Sequence, residues 1–385
     1  MKVSIIYNNF FDKNGLNLSI GGIQSYLMSL GEVFVSKGLE TIIYQESFQK
    51  FERDINGMKV IGIDTRKIRK KNVERVLIEV ATKNLNKDED IVVFGSEKLA
   101  FKIPFRRTIS IQHGIGWDLP VQYLTKKKCY HSLKIGWLFK YYLRHLAIKK
   151  FKIAKYKVCV DYNFVNWYRT FTSKEDENIF VIPNFAKISD FNAVQCKKYD
   201  NENIKILYSR RFVDYRGSKI VAKVFRRLLD RYANISVTFA GEGPDEDWLK
   251  NEFRGQDRVE FIKYLPTDSM KIHFCHDLSI VPSLASEGTS LSVIEAMACG
   301  CPVIASAVGG ITNIIINNHN GILVKPGDSV ALESALDKLI IDRELRQRLG
   351  INGYQTVKHS FSLKSWQENW SNIIDSVIGG VDRVS

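Results

Sequence analysis

Two glutamates, Glu287 and Glu295, are separated by seven residues in the run Ser286-Glu287-Gly288-Thr289-Ser290-Leu291-Ser292-Val293-Ile294-Glu295-Ala296-Met297. The small residues Gly288, Thr289 and Ser290 leave the backbone open just where a helical pattern begins. The N–H groups of a first helical turn have no partner inside the helix, so the tip at Ser290 and Leu291 suits an anion such as a diphosphate. Glu295, one turn further in, cannot serve the phosphates and is better placed to accept ribose hydroxyls. Glu287, ahead of the turn, would lie toward a sugar. An ordinary helix start, with Ser290 as the cap and Glu295 in solvent, fits the same letters.

Cations come next. In ILYSRRFVDYRGSK, residues 206–219, Arg210 and Arg211 follow a strand and Arg216-Gly217 lie five residues beyond Arg211. Guanidinium groups match phosphate oxygens through paired N–H bonds, so Arg211 and Arg216 could clamp a pyrophosphate; solvated loop charge is the alternative. Gly241-Glu242-Gly243 follows the strand Ile235–Ala240 but lacks the third glycine of a dinucleotide fingerprint. In the first half, Gly21-Gly22 immediately precede a helix at Ile23, where close backbone approach and the helix tip favour an anion. His113-Gly114 follow the strand Thr108–Gln112. A lone histidine is more often a structural hydrogen-bonder than a catalyst, and nothing local to His113 decides between the two.

These loops need strands to hold them. Periodicity predicts strands at Val3–Tyr7, Thr41–Tyr44, Lys59–Ile63, Ile91–Phe94, Thr108–Gln112, Lys157–Val160 and Ile179–Ile182. A second series follows at Ile204–Tyr208, Ile235–Ala240, Val259–Ile262, Leu278–Val281, Pro302–Ala305 and Ile322–Val324. Helical patterns over Ile23–Lys37, Lys67–Leu85, Ser218–Arg231, Ser292–Cys299 and Val330–Ile340 alternate with them. The repeated alternation predicts an α/β fold of two doubly wound, Rossmann-like domains with parallel sheets. Ligands of such sheets bind beyond the carboxyl ends of the strands, the edge where most of these motifs fall, and two facing domains would place the site in a central cleft. The polar stretch after Pro183-Asn184 divides the chain into residues 1–185, a linker 186–203 and residues 204–360. A last helical pattern, Leu363–Ile378, carries Trp366 and Trp370 four residues apart, the spacing of a buried stripe.

With 385 residues, 45% apolar and 25% charged, the chain has globular composition and enough material for two cores. Disorder, collagen-like repetition and a small stapled scaffold are excluded. Fifty-six Lys and Arg against 42 Asp and Glu leave a net charge of +14, which calls for an anionic partner. Eleven of the cations (Lys126, Lys127, Lys128, Lys134, Lys140, Arg144, Lys149, Lys150, Lys152, Lys155, Lys157) fall between Asp118 and Asp161, where no acidic residue occurs. Tyr123, Tyr130, Trp137, Phe139, Tyr141, Tyr142 and Phe151 interleave with them, so residues 126–157 read as a docking segment for an anionic membrane surface. A solvated helix with an aromatic core face is the plainer alternative. Stacked bases are a third reading of the same residues, but no nucleic-acid-binding module is recognisable. No stretch reaches eighteen uninterrupted apolar residues, and the six cysteines lack metal-ligand spacing, so the expectation is a cytoplasmic protein, soluble or peripheral, with reduced thiols. The acidic triplets Asp88-Glu89-Asp90 and Asp245-Glu246-Asp247 precede a strand and start a helix, positions that argue against a metal site.

Taken in order, Gly21-Gly22, His113-Gly114, Pro183-Asn184, Arg211 with Arg216-Gly217, Gly241-Glu242-Gly243 and Glu287 to Glu295 followed by Ala296-Met297-Ala298-Cys299-Gly300-Cys301-Pro302 resemble the retaining glycosyltransferases of family 4. The resemblance runs from Gly21 to the terminal helix and is sharpest over residues 287–327. It implies the GT-B fold, an acceptor-binding first domain, a nucleotide-sugar-binding second domain, and residues 361–385 returning to the first. It further implies transfer of a sugar, with retention, from a nucleotide-diphosphate donor (a UDP-sugar by the family's habit) to a lipid-linked or surface-polysaccharide acceptor on the inner membrane face. Arg211 and Arg216 would neutralise the leaving diphosphate, helped by the amides of Ser290 and Leu291. Glu295 would hold the ribose, Glu287 the sugar hydroxyls, and His113 would approach the sugar. Neither metal nor other cofactor is implied, since cations and helix dipole do that work. Arg210 stands where a glycine is usual, Arg216 where lysine is common, and Phe185-Ala186 replace a frequent Gly-Val. A sugar-nucleotide epimerase or hydrolase of like fold, and a basic RNA-binding protein, are the alternatives; a dinucleotide oxidoreductase fits poorly, as neither half carries the full glycine fingerprint.

Overall fold

The computed structural model describes residues 1–19, 21–119, 124, 136–172, 178–188, 203–264 and 268–380. Most of the expected linker, 189–202, and residues 126–135 of the basic segment lie outside the described residues. The chain divides into two compact units. The first comprises Met1–His113, Ser132–Ile182 and Trp366–Ser385, and the second Gly114–His131 and Pro183–Ser365. Residues 114–119 therefore group with the second unit, whereas the sequence places them inside domain 1–185.

The first unit is one eight-stranded sheet. In chain order its elements are β1 (Lys2–Ile6), α1 (Gly22–Ser36), β2 (Glu40–Ser47), β3 (Phe51–Ile55), β4 (Met58–Asp64), α2 (Val73–Thr82), β5 (Ile91–Phe94), β6 (Arg107–Gln112), α3 (Gly136–Phe151), β7 (Tyr156–Cys159), α4 (Tyr162–Thr172) and β8 (Ile179–Val181). Strand order is β3-β4-β2-β1-β5-β6-β7-β8. Every pairing is parallel except β3 with β4. The central strands are buried on both faces, which is why they read as continuous β-branched runs. The sequence reading lacks β3. Asn56-Gly57, both at positive φ (50° and 77°), form the tight hairpin turn that joins it to β4. Its exposed Glu52, Arg53 and Asp54 are the charges of a protected sheet edge rather than a core run.

The second unit is a six-stranded parallel sheet of order β11-β10-β9-β12-β13-β14. Its strands are β9 (Ile204–Ser209), β10 (Ile235–Ala240), β11 (Val259–Ile262), β12 (Leu278–Val281), β13 (Val303–Ser306) and β14 (Ile322–Val324). Its helices are α5 (Ser218–Arg231), α6 (Glu246–Glu252), α7 (Ser269–Phe274), α8 (Leu291–Ala298), α9 (Ser329–Ile341) and α10 (Arg343–Ser360). Phe239 anchors the core, stacked on Phe261 at 5.0 Å between centroids and edge-on to Phe225 at 5.5 Å. The order reverses between β9 and β12, so the loops after these two strands open at one switch point. Those loops carry Arg210–Gly217 and Pro282–Ser290.

The last helix, α11 (Leu363–Gly379), turns its two tryptophans into the first unit. Trp370 is fully buried and donates from Nε1 to the Tyr26 hydroxyl at 3.0 Å, while the Trp366 ring meets Tyr26 edge-on at 5.0 Å. Lys37 pairs with Asp375 at 2.6 Å, and Arg107 donates to the Ile378 carbonyl at 2.8 Å. Trp370→Ala leaves a large hole and takes a donor from the buried Tyr26 hydroxyl. The expected cost is about 3–5 kcal/mol, read as a lower urea midpoint for the first unit.

Candidate functional site

The site is assembled at the carboxyl ends of β9 and β12. Beyond Ser209 the chain stays extended: the Arg210 amide donates to the Ala240 carbonyl at 3.0 Å and the Phe212 amide to Glu242 at 2.9 Å. Successive side chains of an extended segment point to opposite sides. Arg210 is consequently buried and Arg211 exposed. The sequence pairs Arg211 with Arg216; in the structure it is Arg210 that meets Arg216.

Both guanidiniums converge on one carboxylate. Arg210 Nη2 donates to Glu287 Oε1 and Oε2 at 2.7 and 2.8 Å, and Arg216 Nη1 lies 2.7 Å from Oε1. Ser283 Oγ also donates to Oε1. Burial alone would push the Glu287 carboxyl up, but the charges of Arg210 and Arg216 overcome it and hold the group at about 2. Arg216 shows the reciprocal effect, its pKa raised by Glu287 against the pull of burial. One polar atom of this cluster is unsatisfied: Arg210 Nη1 is buried with no hydrogen-bond partner among the described residues.

The glycine loops hold this arrangement in place. A Cβ on Gly241 would lie 2.2 Å from the Arg210 carbonyl, and one on Gly243 2.3 Å from the Phe212 carbonyl. Their contact is thus with the backbone that aims Arg210. Gly217, at φ +87°, ends the turn of Arg216, and a Cβ there would meet the Pro282 carbonyl at 2.2 Å. The sequence flagged these glycines without showing what they touch.

Thr289 and Ser290 are buried, and α8 begins at Leu291. The Ser290 side chain makes no capping bond, so the tip is not the self-capped start that the letters also allowed. The Thr289 carbonyl accepts from Asn184 Nδ2 at 2.7 Å, the Ser286 amide donates to Asp118 at 2.6 Å, and the Gly310 amide donates to the Glu287 carbonyl at 2.7 Å. One turn along, Glu295 accepts from Ser269 Oγ at 2.6 Å, with His273 Nε2 4.0 Å away. Burial pushes its carboxyl up to about 7, against which the Ser269 bond works only partly. Tyr264 and Ser209 share a 2.6 Å hydroxyl bond in the same region. The sequence reading lacked Arg210, Ser283, Ser269, Tyr264 and Asp118. Only Arg210 had a local signal, and that signal was ambiguous by one residue.

In the first unit, Gly21 precedes α1, which starts at Gly22. His113 sits past the end of β6, with Nε2 bonded to the Gly95 carbonyl at 2.9 Å and its ring edge-on to Tyr26 at 5.3 Å. Burial lowers its pKa to about 4. Of the acidic triplets, Asp90 accepts from the Lys2 and Asn86 amides, Asp245 accepts from Ser218, and Glu246 pairs with Lys250.

Comparison with known proteins fits the second unit. Residues 192–356 match the family of glycosyl transferases group 1. That match takes in β9 to β14 and the whole Arg210–Arg216–Glu287–Glu295 cluster. Among curated relatives, the capsular polysaccharide biosynthesis glycosyltransferase CapM of Staphylococcus aureus is 28% identical over 173 residues, 44% of this chain and 45% of that protein. The chain spans about half the length of most of the curated relatives it matches first. A solved sucrose-phosphate synthase from Thermosynechococcus elongatus superposes with a TM-score of 0.75 at 18% identity, covering 99% of this chain and 100% of that one. Anabaena HepE, solved with UDP-glucose, gives 0.71 at 15% identity over 98% and 100%. These likenesses carry the fold, two Rossmann-like α/β units of the GT-B class.

Glu287 gives a stability test. Its folded pKa lies below its ordinary value near 4.5, so its contribution is complete above that value and is lost as pH falls toward about 2. Glu287→Gln should be less stable at pH 7, and the gap from the native chain should close between those two pH values in urea titrations.

Proposed function

We propose that the chain is a retaining glycosyltransferase of hexosyl type that moves a sugar from a nucleotide-diphosphate donor, a UDP-sugar, to a lipid-linked or surface-polysaccharide acceptor. The observation that carries this reading is the buried Arg210 Nη1 without a partner. A buried guanidinium N–H left open is costly, and an arriving phosphate oxygen would satisfy it. Arg210 and Arg216 then neutralise the departing diphosphate, and the first-turn amides of α8 add their share of positive potential. Charge stabilisation therefore comes from side chains and a helix tip, so the proposal includes no metal. Glu287 takes hydroxyls of the donor sugar and Glu295 those of the ribose. His113, neutral and hydrogen-bonded, takes a sugar hydroxyl as acceptor rather than acting as an acid. HepE's complex with UDP-glucose supports the choice of donor, and CapM's role in capsular polysaccharide biosynthesis supports the choice of acceptor.

Arg210→Ala and Arg216→Ala should each slow donor-dependent UDP release about 100-fold or more, with Arg211→Ala changing it far less and EDTA leaving it unaltered. Equal turnover in all three variants overturns the assignment. Release that proceeds as fast without acceptor as with it would instead mark a hydrolase or epimerase.

Glu295 supplies a second test. Its carboxyl, held near 7, becomes the better acceptor of ribose hydroxyls once ionised. Affinity for UDP should therefore rise between pH 6 and pH 8 by more in the native chain than in Glu295→Gln, as measured by calorimetry.

A further inference from the structure

We infer that α3 is a membrane-docking helix whose exposed face lies on an anionic lipid surface. This goes beyond the transfer reaction and rests on a different unit. The helix is anchored at its C-terminal end: Phe151 packs on Phe164 and Tyr168 of α4 at 4.8 and 4.9 Å, and Lys150 Nζ donates to the Ala100 carbonyl at 2.9 Å. Ile148 is buried as well. The rest of its length presents Trp137, Leu138, Tyr141, Tyr142 and Leu146 outward, with Trp137 66% and Tyr142 58% exposed. At about 100° per residue these five positions share one half of the helix surface. Single exposed apolar residues are ordinary, whereas five on one helical face mark an interaction surface.

Charge identifies what covers that face. Lys140 and Arg144 border it on one side, and Lys149 and Lys150 stand at its C-terminal end. The chain then runs into Lys152, Lys155 and Lys157, which with Arg106 line a cavity of about 650 Å³ whose described lining holds no carboxylate. From 119 to 160 the sequence has no acidic residue. Trp and Tyr sit well at the headgroup level, Leu138 and Leu146 gain from the acyl boundary, and Lys or Arg stems let their charges reach phosphates. Nucleic acid would use the aromatics and the cations but would leave both leucines unrewarded. Among the described residues no helix is long and apolar enough to cross a membrane, so this contact is of the kind that lies on the surface. Residues 126–135 of the basic segment lie outside the described residues, and the inference does not use them.

Flotation of the full chain tests the inference, with vesicles of phosphatidylcholine alone or mixed with phosphatidylglycerol. Binding should require phosphatidylglycerol and weaken as salt is raised. The triple variant Trp137→Ser, Tyr141→Ser, Tyr142→Ser, and separately Lys140→Glu with Lys149→Glu, should each lower the bound fraction roughly tenfold or more. Unchanged urea midpoints would show that both variants fold, and unchanged UDP binding would keep this result separate from the donor assignment. Equal flotation on neutral vesicles, undiminished binding in either variant, or an effect confined to self-association or RNA retention overturns it.

Discussion

A carboxylate taken out of water beside two guanidiniums governs the second unit. The isolated burial of Glu287 would be prohibitive, and the isolated burial of Arg210 nearly so; each is tolerable because the other is there. Removing one partner of such a cluster strands a buried charge, so the three side chains stand or fall together. Much of the surrounding chain serves to fix their geometry. The extended run from Arg210 to Phe212 is pinned by backbone bonds to the β10 end and its glycine loop, Gly217 packs against Pro282 just after Arg216, and Ser283 completes the shell of Glu287. A net excess of one positive charge remains in that shell, and it is the excess that gives an anionic ligand a reason to bind.

Two glutamates eight positions apart on one segment end with opposite electrostatic fates. Glu287 sits among cations and stays ionised across any ordinary pH, whereas at Glu295 burial outweighs the Ser269 hydroxyl bond and pushes the carboxyl toward neutrality. Burial is common to both, and what separates them is the neighbour. The cluster can therefore hold a fixed negative charge to orient cations and, one helical turn away, a carboxyl whose hydrogen-bonding role changes near pH 7.

The strands were legible because a parallel sheet buries both faces and writes itself as unbroken Val, Ile and Leu. The same property hid Arg210. β9 is buried at every position but Lys205, so it shows no alternation from which to extrapolate which of two successive arginines turns inward. Only the register of the extended tail against β10 decides it, and that is a long-range fact. β3 was missed for the converse reason, its polar edge residues lacking any core signature although Asn56-Gly57 announced the turn. α3 lies within the basic segment that the sequence marks out, but cations set among its aromatics blur any single stripe and leave its bounds unread. Ser269, at the start of α7, and Ser283, in the loop after β12, stand in local spacings that carry no chemistry at all; a hydroxyl becomes functional only by what folding brings within reach.

His113 shows how packing far along the chain can fix the chemistry of one ring. Trp370 donates to Tyr26, Tyr26 meets the imidazole edge-on, and the imidazole bonds the Gly95 carbonyl through Nε2. A carbonyl can only accept, so Nε2 carries the proton. With the pKa held near 4 by burial, the ring stays neutral and Nδ1 is left as an acceptor. A histidine in that state cannot deliver a proton at neutral pH; it can receive a hydroxyl hydrogen bond and hold an oxygen in position. The terminal helix thus adds to the packing around this ring, because its two tryptophans hold the tyrosine that the imidazole meets edge-on.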